Sequence, residues 1–162
     1  MTSGKPKPKI ICWDANCFCA WFSKEPNRYD VCNAIIEAAQ KNQIKLYTSL
    51  LTLTEIIKVP NEYPSEAEDA ISEFFRNPYI TMVSVDWAIA RIARDLRRRF
   101  TRLDGRDAIH LATAIRIKAE VLHTYDHDDL LKLNNQIPGY QLSITEPIFT
   151  YQVKLQEPAK EK

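Results

Sequence analysis

Four acidic residues fall where a chain of alternating strands and helices would place chemistry. Asp14 directly follows the apolar run Ile10-Ile11-Cys12-Trp13, and Asp126 directly follows Val121-Leu122-His123-Thr124-Tyr125. Glu55 lies in a short helical pattern behind a second apolar stretch. Asp107 opens the pattern Asp107-Ala108-Ile109-His110-Leu111-Ala112-Thr113-Ala114. If the apolar runs are parallel strands, all four carboxylates gather at one edge of a sheet. Clustered negative charges repel one another and call for hard cations, and a set of carboxylate and water oxygens suits Mg²⁺ or Mn²⁺. Two such ions about 3.5–4 Å apart activate a water and stabilise a leaving oxygen on phosphorus. Taken singly, each acid has a plainer explanation. Asp14 ends a strand in a turn, Asp126 caps a helix over 128–133, Asp107 forms a capping pair with Asp104, and Glu55 is an exposed helix residue. Taken together, four acids that each adjoin a strand end or a helix start favour a metal site over four separate caps.

The elements that must position these acids are legible from periodicity. Residues 9–13, 44–48, 79–85 and 121–125 read as strands, with a further short one at 142–145. Residues 31–41, 65–76, 86–99 and 106–119 read as helices, and 51–58 as a short one. This alternation predicts an α/β fold with a mainly parallel central sheet, in which ligands bind outside the carboxyl ends of the strands. One domain is expected over 9–150, between a basic tail at 1–8 and a C-terminal tail at 151–162.

Composition narrows the class. The chain has 162 residues, 45% hydrophobic and 27% charged, with a formal net charge of +1. That is the balance of one soluble globular domain, and its bulk charge announces neither nucleic acid nor membrane. The three glycines, Gly4, Gly105 and Gly139, stand far apart, which excludes a P-loop or a dinucleotide-binding glycine loop. No apolar run approaches the roughly 18 residues of a membrane span. Cys12, Cys17, Cys19 and Cys32 crowd into the first fifth of the chain without CxxC spacing. They read as reduced thiols, which fits the cytoplasm. His110, His123 and His127 are not spaced as zinc ligands, and structural or surface roles are expected for all three. Ser/His/Asp hydrolysis finds no support, since GxSxG is absent.

Between Arg91 and Arg106 the chain carries seven arginines. On a helix, Ile89, Ile92, Ala93, Leu96 and Phe100 share one face, while Arg91, Arg94, Arg98 and Arg102 take the other. A solvated amphipathic face is the bland account. The preference for arginine over lysine, just before Asp107, favours phosphate binding, because guanidinium groups grip phosphate oxygens in pairs. Arg91, Arg94, Arg98, Arg102 and Arg106 are therefore the expected phosphate-binding residues.

The segments Ile11-Cys12-Trp13-Asp14-Ala15-Asn16-Cys17-Phe18, Thr52-Leu53-Thr54-Glu55-Ile56-Ile57, Arg106 through Ala114, and His123-Thr124-Tyr125-Asp126 resemble the PIN domain, close to the VapC-type toxin ribonucleases. The stretch Ile144-Thr145-Glu146-Pro147 resembles the last strand and turn of that family. The resemblance implies a PIN-like α/β/α sandwich whose metal-binding acids are Asp14, Glu55, Asp107 and Asp126. It also implies that Asn16 and Thr124 orient the acids or hold metal-bound water, with Asp128 nearby; Asp128 and Asp129 both follow Asp126 closely, and which of them completes the site stays open. Trp13 departs from the smaller aliphatic usual at its position. The function implied is an endoribonuclease dependent on Mg²⁺ or Mn²⁺, one or two ions, leaving 5′-phosphate and 3′-hydroxyl ends. RNA as substrate, a toxin role, a small antitoxin partner and a homodimer are implications of the resemblance alone. Two other classes are weighed beside it. A phosphoacceptor receiver domain would need a lysine at a late strand end, where this chain has Thr124-Tyr125-Asp126. A non-catalytic RNA-binding module would keep the arginine face and use the acids only as caps.

Overall fold

The computed structural model describes residues 6–148. The elements run β1 (Lys9–Trp13), α1 (Ala15–Phe22), α2 (Tyr29–Gln40), β2 (Ile44–Ser49), α3 (Thr52–Glu55), α4 (Pro64–Phe75), β3 (Ile80–Val83), α5 (Trp87–Arg99), α6 (Gly105–Arg116), β4 (Val121–His123) and β5 (Ser143–Thr145), with a 3₁₀ turn at Leu131–Leu133 before β5. The strands form a single sheet in the order β3-β2-β1-β4-β5, and every pairing is parallel. This order differs from the 2-1-3-4-5 sheet of receiver domains, and the receiver alternative falls with it.

A parallel sheet must be covered on both faces, which is why its strands read as continuous apolar runs rather than alternating ones. β1 shows how the two faces divide. Ile11 and Trp13 enter a core shared with α1, α2 and α4, through residues such as Phe18, Ile35 and Phe74. Cys12, between them, points into a second core with α5 and α6, through Ile89, Leu96, Leu111 and Ile115. β4 divides likewise, Val121 to the first core and Leu122 to the second. The result is the expected α/β/α sandwich.

Helix boundaries follow from side chains. Asp86 opens α5 by accepting from the Ile89 N–H at 2.9 Å, and Asp104 opens α6 by accepting from the Asp107 N–H at 2.9 Å. Pro64 occupies the first turn of α4, where its missing N–H costs nothing. α5 is amphipathic as expected, with Ile89, Ala93 and Leu96 buried and its arginines outside.

Three differences from the sequence reading matter. The helix α1 was not anticipated: Asp14 ends β1 and also caps α1, its carboxylate accepting from the Asn16 N–H at 3.1 Å. β4 stops at His123, so Thr124 and Tyr125 lie beyond the strand and lead out of the sheet. The helix expected over 128–133 is instead a turn followed by the 3₁₀ segment. The Asp126 carboxylate gathers the N–H groups of Asp128, Asp129 and Leu130, and Asn135 takes a left-handed φ of 62° that turns the chain away. Of the expected tails, only residues 6–8 lie within the described residues, and they carry no regular structure.

Candidate active site

The register of the sheet fixes where the acids meet. Trp13 is level with Thr48 of β2 and with His123 of β4, so the residues after each strand emerge side by side. From β1 the chain runs to β2 and β3 on one side, then crosses to β4 and β5 on the other. The crevice between β1 and β4 is therefore the switch point of the sheet, the place where such folds bind ligands.

Asp14 is buried at this point, and both its oxygens are engaged. Oδ1 accepts from the Asn16 N–H, and Oδ2 accepts from the Thr124 hydroxyl at 2.6 Å. The same Thr124 oxygen accepts from the Asp126 N–H at 3.0 Å and from Asn16 Nδ2 at 3.3 Å, while Asn16 Oδ1 accepts from the Tyr125 N–H at 2.9 Å. Asn16 and Thr124 thus tie the start of α1 to the end of β4 and fix the orientation of Asp14. Burial pushes the Asp14 carboxyl up to about 6, against the opposing effects of the Thr124 hydrogen bond and the nearby His110.

Asp107 sits in the first turn of α6, half-buried. Its carboxyl is pushed up to about 7, first by burial and then by the negative charges of Asp104, Asp126 and Asp14. Asp107, Asp126 and Asp129 each offer an oxygen, and these lie within 4.8 Å of one another. Asp126 is held by the three N–H donors of the following turn, and that turn swings Asp129 back towards Asp107. Asp128, the neighbour expected to assist, contributes its N–H to Asp126 while its side chain stays exposed. Three carboxylates converging beside a fourth form an all-oxygen donor set, fitted to Mg²⁺ or Mn²⁺ and poorly suited to softer metals.

Glu55 closes α3 and stands outside that three-acid group. Its Oε2 meets Nε2 of His110 at 2.6 Å, and the imidazole is almost fully buried. His110, assigned a structural or surface role from sequence, thus touches an acid of the site. His123 is different: its Nδ1 accepts from the Trp13 indole N–H at 3.1 Å, and burial holds its pKa down at about 3, so its ring stays neutral. Trp13 therefore packs under the site and braces β1 to β4.

The arginines divide. Arg102, with Arg99, Phe100 and Lys132, lines a groove of about 300 Å³ whose other wall is Asp128 and Asp129. Arg94 and Arg98, with Arg97, line a depression between α5 and α6. Arg98 also pairs with Asp95 at 3.4 Å, Arg106 pairs with Asp104 at 3.5 Å, and Arg91 is exposed on α5. Sequence reasoning missed Arg99 and Lys132 on the groove and His110 beside Glu55; of the two acids that closely follow Asp126, the structure brings Asp129 and not Asp128 into the acid group. The four cysteines are free, Cys12, Cys17 and Cys32 being buried. Among the described residues, no helix is long and apolar enough to cross a membrane.

The PIN domain family model matches residues 11–135. Among curated proteins, none matches the chain. Several solved structures share its fold. VapBC2 from Rickettsia felis, bound to a DNA fragment from its promoter, superposes with a TM-score of 0.62 at 16% identity, over 83% of this chain and 98% of that one. A toxin–antitoxin complex from Klebsiella pneumoniae gives 0.61 at 22% identity, over 85% and 98%. VapC20 of Mycobacterium tuberculosis, a toxin that cleaves the sarcin–ricin loop, gives 0.58 at 16% identity, over 73% and 91%.

Proposed function

The chain belongs to the PIN domain family, and from that premise we propose that it is a metal-dependent endoribonuclease acting as the toxin of a toxin–antitoxin pair. The observation that carries the reading is the convergence of Asp107, Asp126 and Asp129 beside the buried Asp14, at the switch point of a parallel sheet. Each carboxylate added to such a cluster raises the cost of ionising the others, and a bound cation would offset that cost.

Asp14, Glu55, Asp107 and Asp126 would hold Mg²⁺ or Mn²⁺, one or two ions, with Asp129 as a fifth acid. A divalent ion held by these acids would supply an activated water and charge neutralisation at the phosphoryl group. Thr124 and Asn16 keep Asp14 in one orientation, so the acids need little rearrangement when loaded. Arg102, Arg99 and Lys132 would seat a phosphate beside the one being cut, and Arg91, Arg94, Arg98 and Arg106 would follow the strand outward. Water oxygen bonds to phosphorus, the bond to the 3′ oxygen breaks, and that oxygen leaves with a proton. The products carry 5′-phosphate and 3′-hydroxyl ends, and 2′,3′-cyclic phosphate ends would sink the mechanism.

A small antitoxin protein is the proposed partner, in line with the toxin–antitoxin complexes among its structural neighbours. A homodimer and a cytoplasmic location belong to the same reading. A structured RNA pool is the first substrate to test, with Mn²⁺, Mg²⁺ or EDTA, for the wild type and Asp107→Asn. Asparagine keeps the size of the side chain and removes its charge. Cleavage is expected to need metal and to fall at least 100-fold in the variant, in the range of lost transition-state charge stabilisation. Equal cutting by both proteins would place the activity elsewhere. Mn²⁺ binding in the absence of RNA separates this reading from a non-catalytic RNA-binding module, which would bind RNA with the metal stripped out.

A further inference from the structure

His110 is nearly fully buried, and its two ring nitrogens have unequal surroundings. Nε2 meets Oε2 of Glu55 at 2.6 Å, while Nδ1 is buried with no hydrogen-bond partner. A carboxylate oxygen can only accept, so Nε2 carries the proton. The alternatives fail on Nδ1. A protonated ring, or a neutral ring accepting at Nε2 from a protonated Glu55, would leave a buried N–H at Nδ1 with nothing to receive it. The tautomer with Nε2–H leaves there only an unfilled lone pair, which is the milder omission. The hydrogen-bond network therefore assigns His110 as donor and Glu55 as acceptor.

The consequence lies with Glu55. α3 is a single turn of four residues, too short to fix the rotamer of a side chain at its end. Among the described residues, Oε1 of Glu55 accepts no hydrogen bond; Oε2 is taken by His110. α6 supplies both His110 and, one turn earlier, Asp107. The helix that carries one acid of the cluster thus also restrains Glu55, which comes from a single helical turn outside that cluster.

We propose that His110 is a positioning residue, which engages Oε2 of Glu55 and so presents Oε1 as its single metal-binding atom. The proposal rests on the metal site of the nuclease reading. It goes beyond that reading in assigning the histidine a task and Glu55 a one-oxygen mode of binding.

The test compares the full chain with His110→Leu, which removes the donor, and His110→Gln, whose amide N–H reaches about where Nε2 stands. Mn²⁺ affinity is read by titration of free Mn²⁺ with electron paramagnetic resonance, and RNA cleavage is read as kcat and KM. The leucine variant is expected to bind Mn²⁺ about 10- to 100-fold more weakly, the usual range for a lost partner of a metal ligand, and to lose kcat with KM for RNA unchanged. The glutamine variant is expected to recover most of both. A merely structural histidine would show equal losses of thermal stability in the two variants and no recovery of affinity by glutamine. Nitrogen-15 shifts of the wild-type imidazole give a reading that needs no variant to fold: protonated Nε2 and bare Nδ1 are expected. A proton on Nδ1, or wild-type Mn²⁺ affinity in the leucine variant, overturns the proposal alone. A wild type that binds no Mn²⁺ overturns the nuclease reading and the proposal with it.

Discussion

Thr124 shows how much of the site depends on a single hydroxyl. It donates to Asp14, accepts from the Asp126 N–H and accepts from Asn16, so three positions of the proposed site meet at one oxygen. Replacing it by valine keeps the branched shape and leaves a buried carboxylate short of a donor. Thr124→Val is expected to lower stability by about 1.5–3 kcal/mol, the range for a hydrogen bond to a charged group. It should also weaken Mn²⁺ binding, while Thr124→Ser restores both. Urea unfolding and metal titration check it, and an unchanged midpoint in valine would mean that Asp14 is held by its other contacts alone. Asp14 and Asp126 stood out in the sequence because they adjoin apolar runs that become strands, whereas Asn16 and Thr124 came from the family resemblance alone. The choice between Asp128 and Asp129 was not legible there, because it depends on a turn organised by the carboxylate of Asp126 itself. His110 was hidden for a different reason. Nearly every residue of α6 from Ala108 to Ile115 is buried, so an apolar stripe could not say which side faced the acids.

Among the elements, the helices announced themselves where their faces differ in polarity and failed to do so where they do not. α5 was read correctly, since its buried positions alternate with arginines at helical spacing. α1 was missed because Ala-Asn-Cys-Phe-Cys-Ala-Trp-Phe carries no charge and reads as a continuation of the strand before it. The signal was present in Asp14, whose capping bond to Asn16 starts the helix; its position at a strand end drew attention first. The caps also separate scaffold from site. Asp86→Ala removes the acceptor for the Ile89 N–H and is expected to cost about 1 kcal/mol, seen as a lower Tm, with the rate of RNA cleavage unchanged. A fall in that rate larger than the fall in folded fraction would show that α5 transmits its position to the acids.

At the scale of the whole molecule, a net charge of +1 conceals a sharp division. Carboxylates crowd the carboxyl edge of the sheet, while cations crowd the α5 end and the groove beside it. RNA bound along that groove, as proposed, would release counterions in proportion to the phosphates that its cations neutralise. Arg99→Ala combined with Arg102→Ala should therefore reduce the slope of log affinity against log salt by roughly 1.4, from about 0.7 for each contact on a single strand. Fluorescence anisotropy in EDTA, where nothing is cut, reads this directly; an unchanged slope would take both arginines off the RNA path. The connectivity of the sheet sets a further condition. β1 is made from the first residues of the fold and lies at its centre, yet Asp14 meets Thr124, its partner in β4's exit, 110 positions later. Long-range parallel pairing is the slowest kind to form. While a ribosome is still synthesising the chain, the first half of the acid set waits without the second. The proposed acid centre can assemble only after the chain has emerged beyond β4. Any product of interrupted translation that stops before β4 therefore lacks Asp126 and Asp129 and cannot complete the acid group.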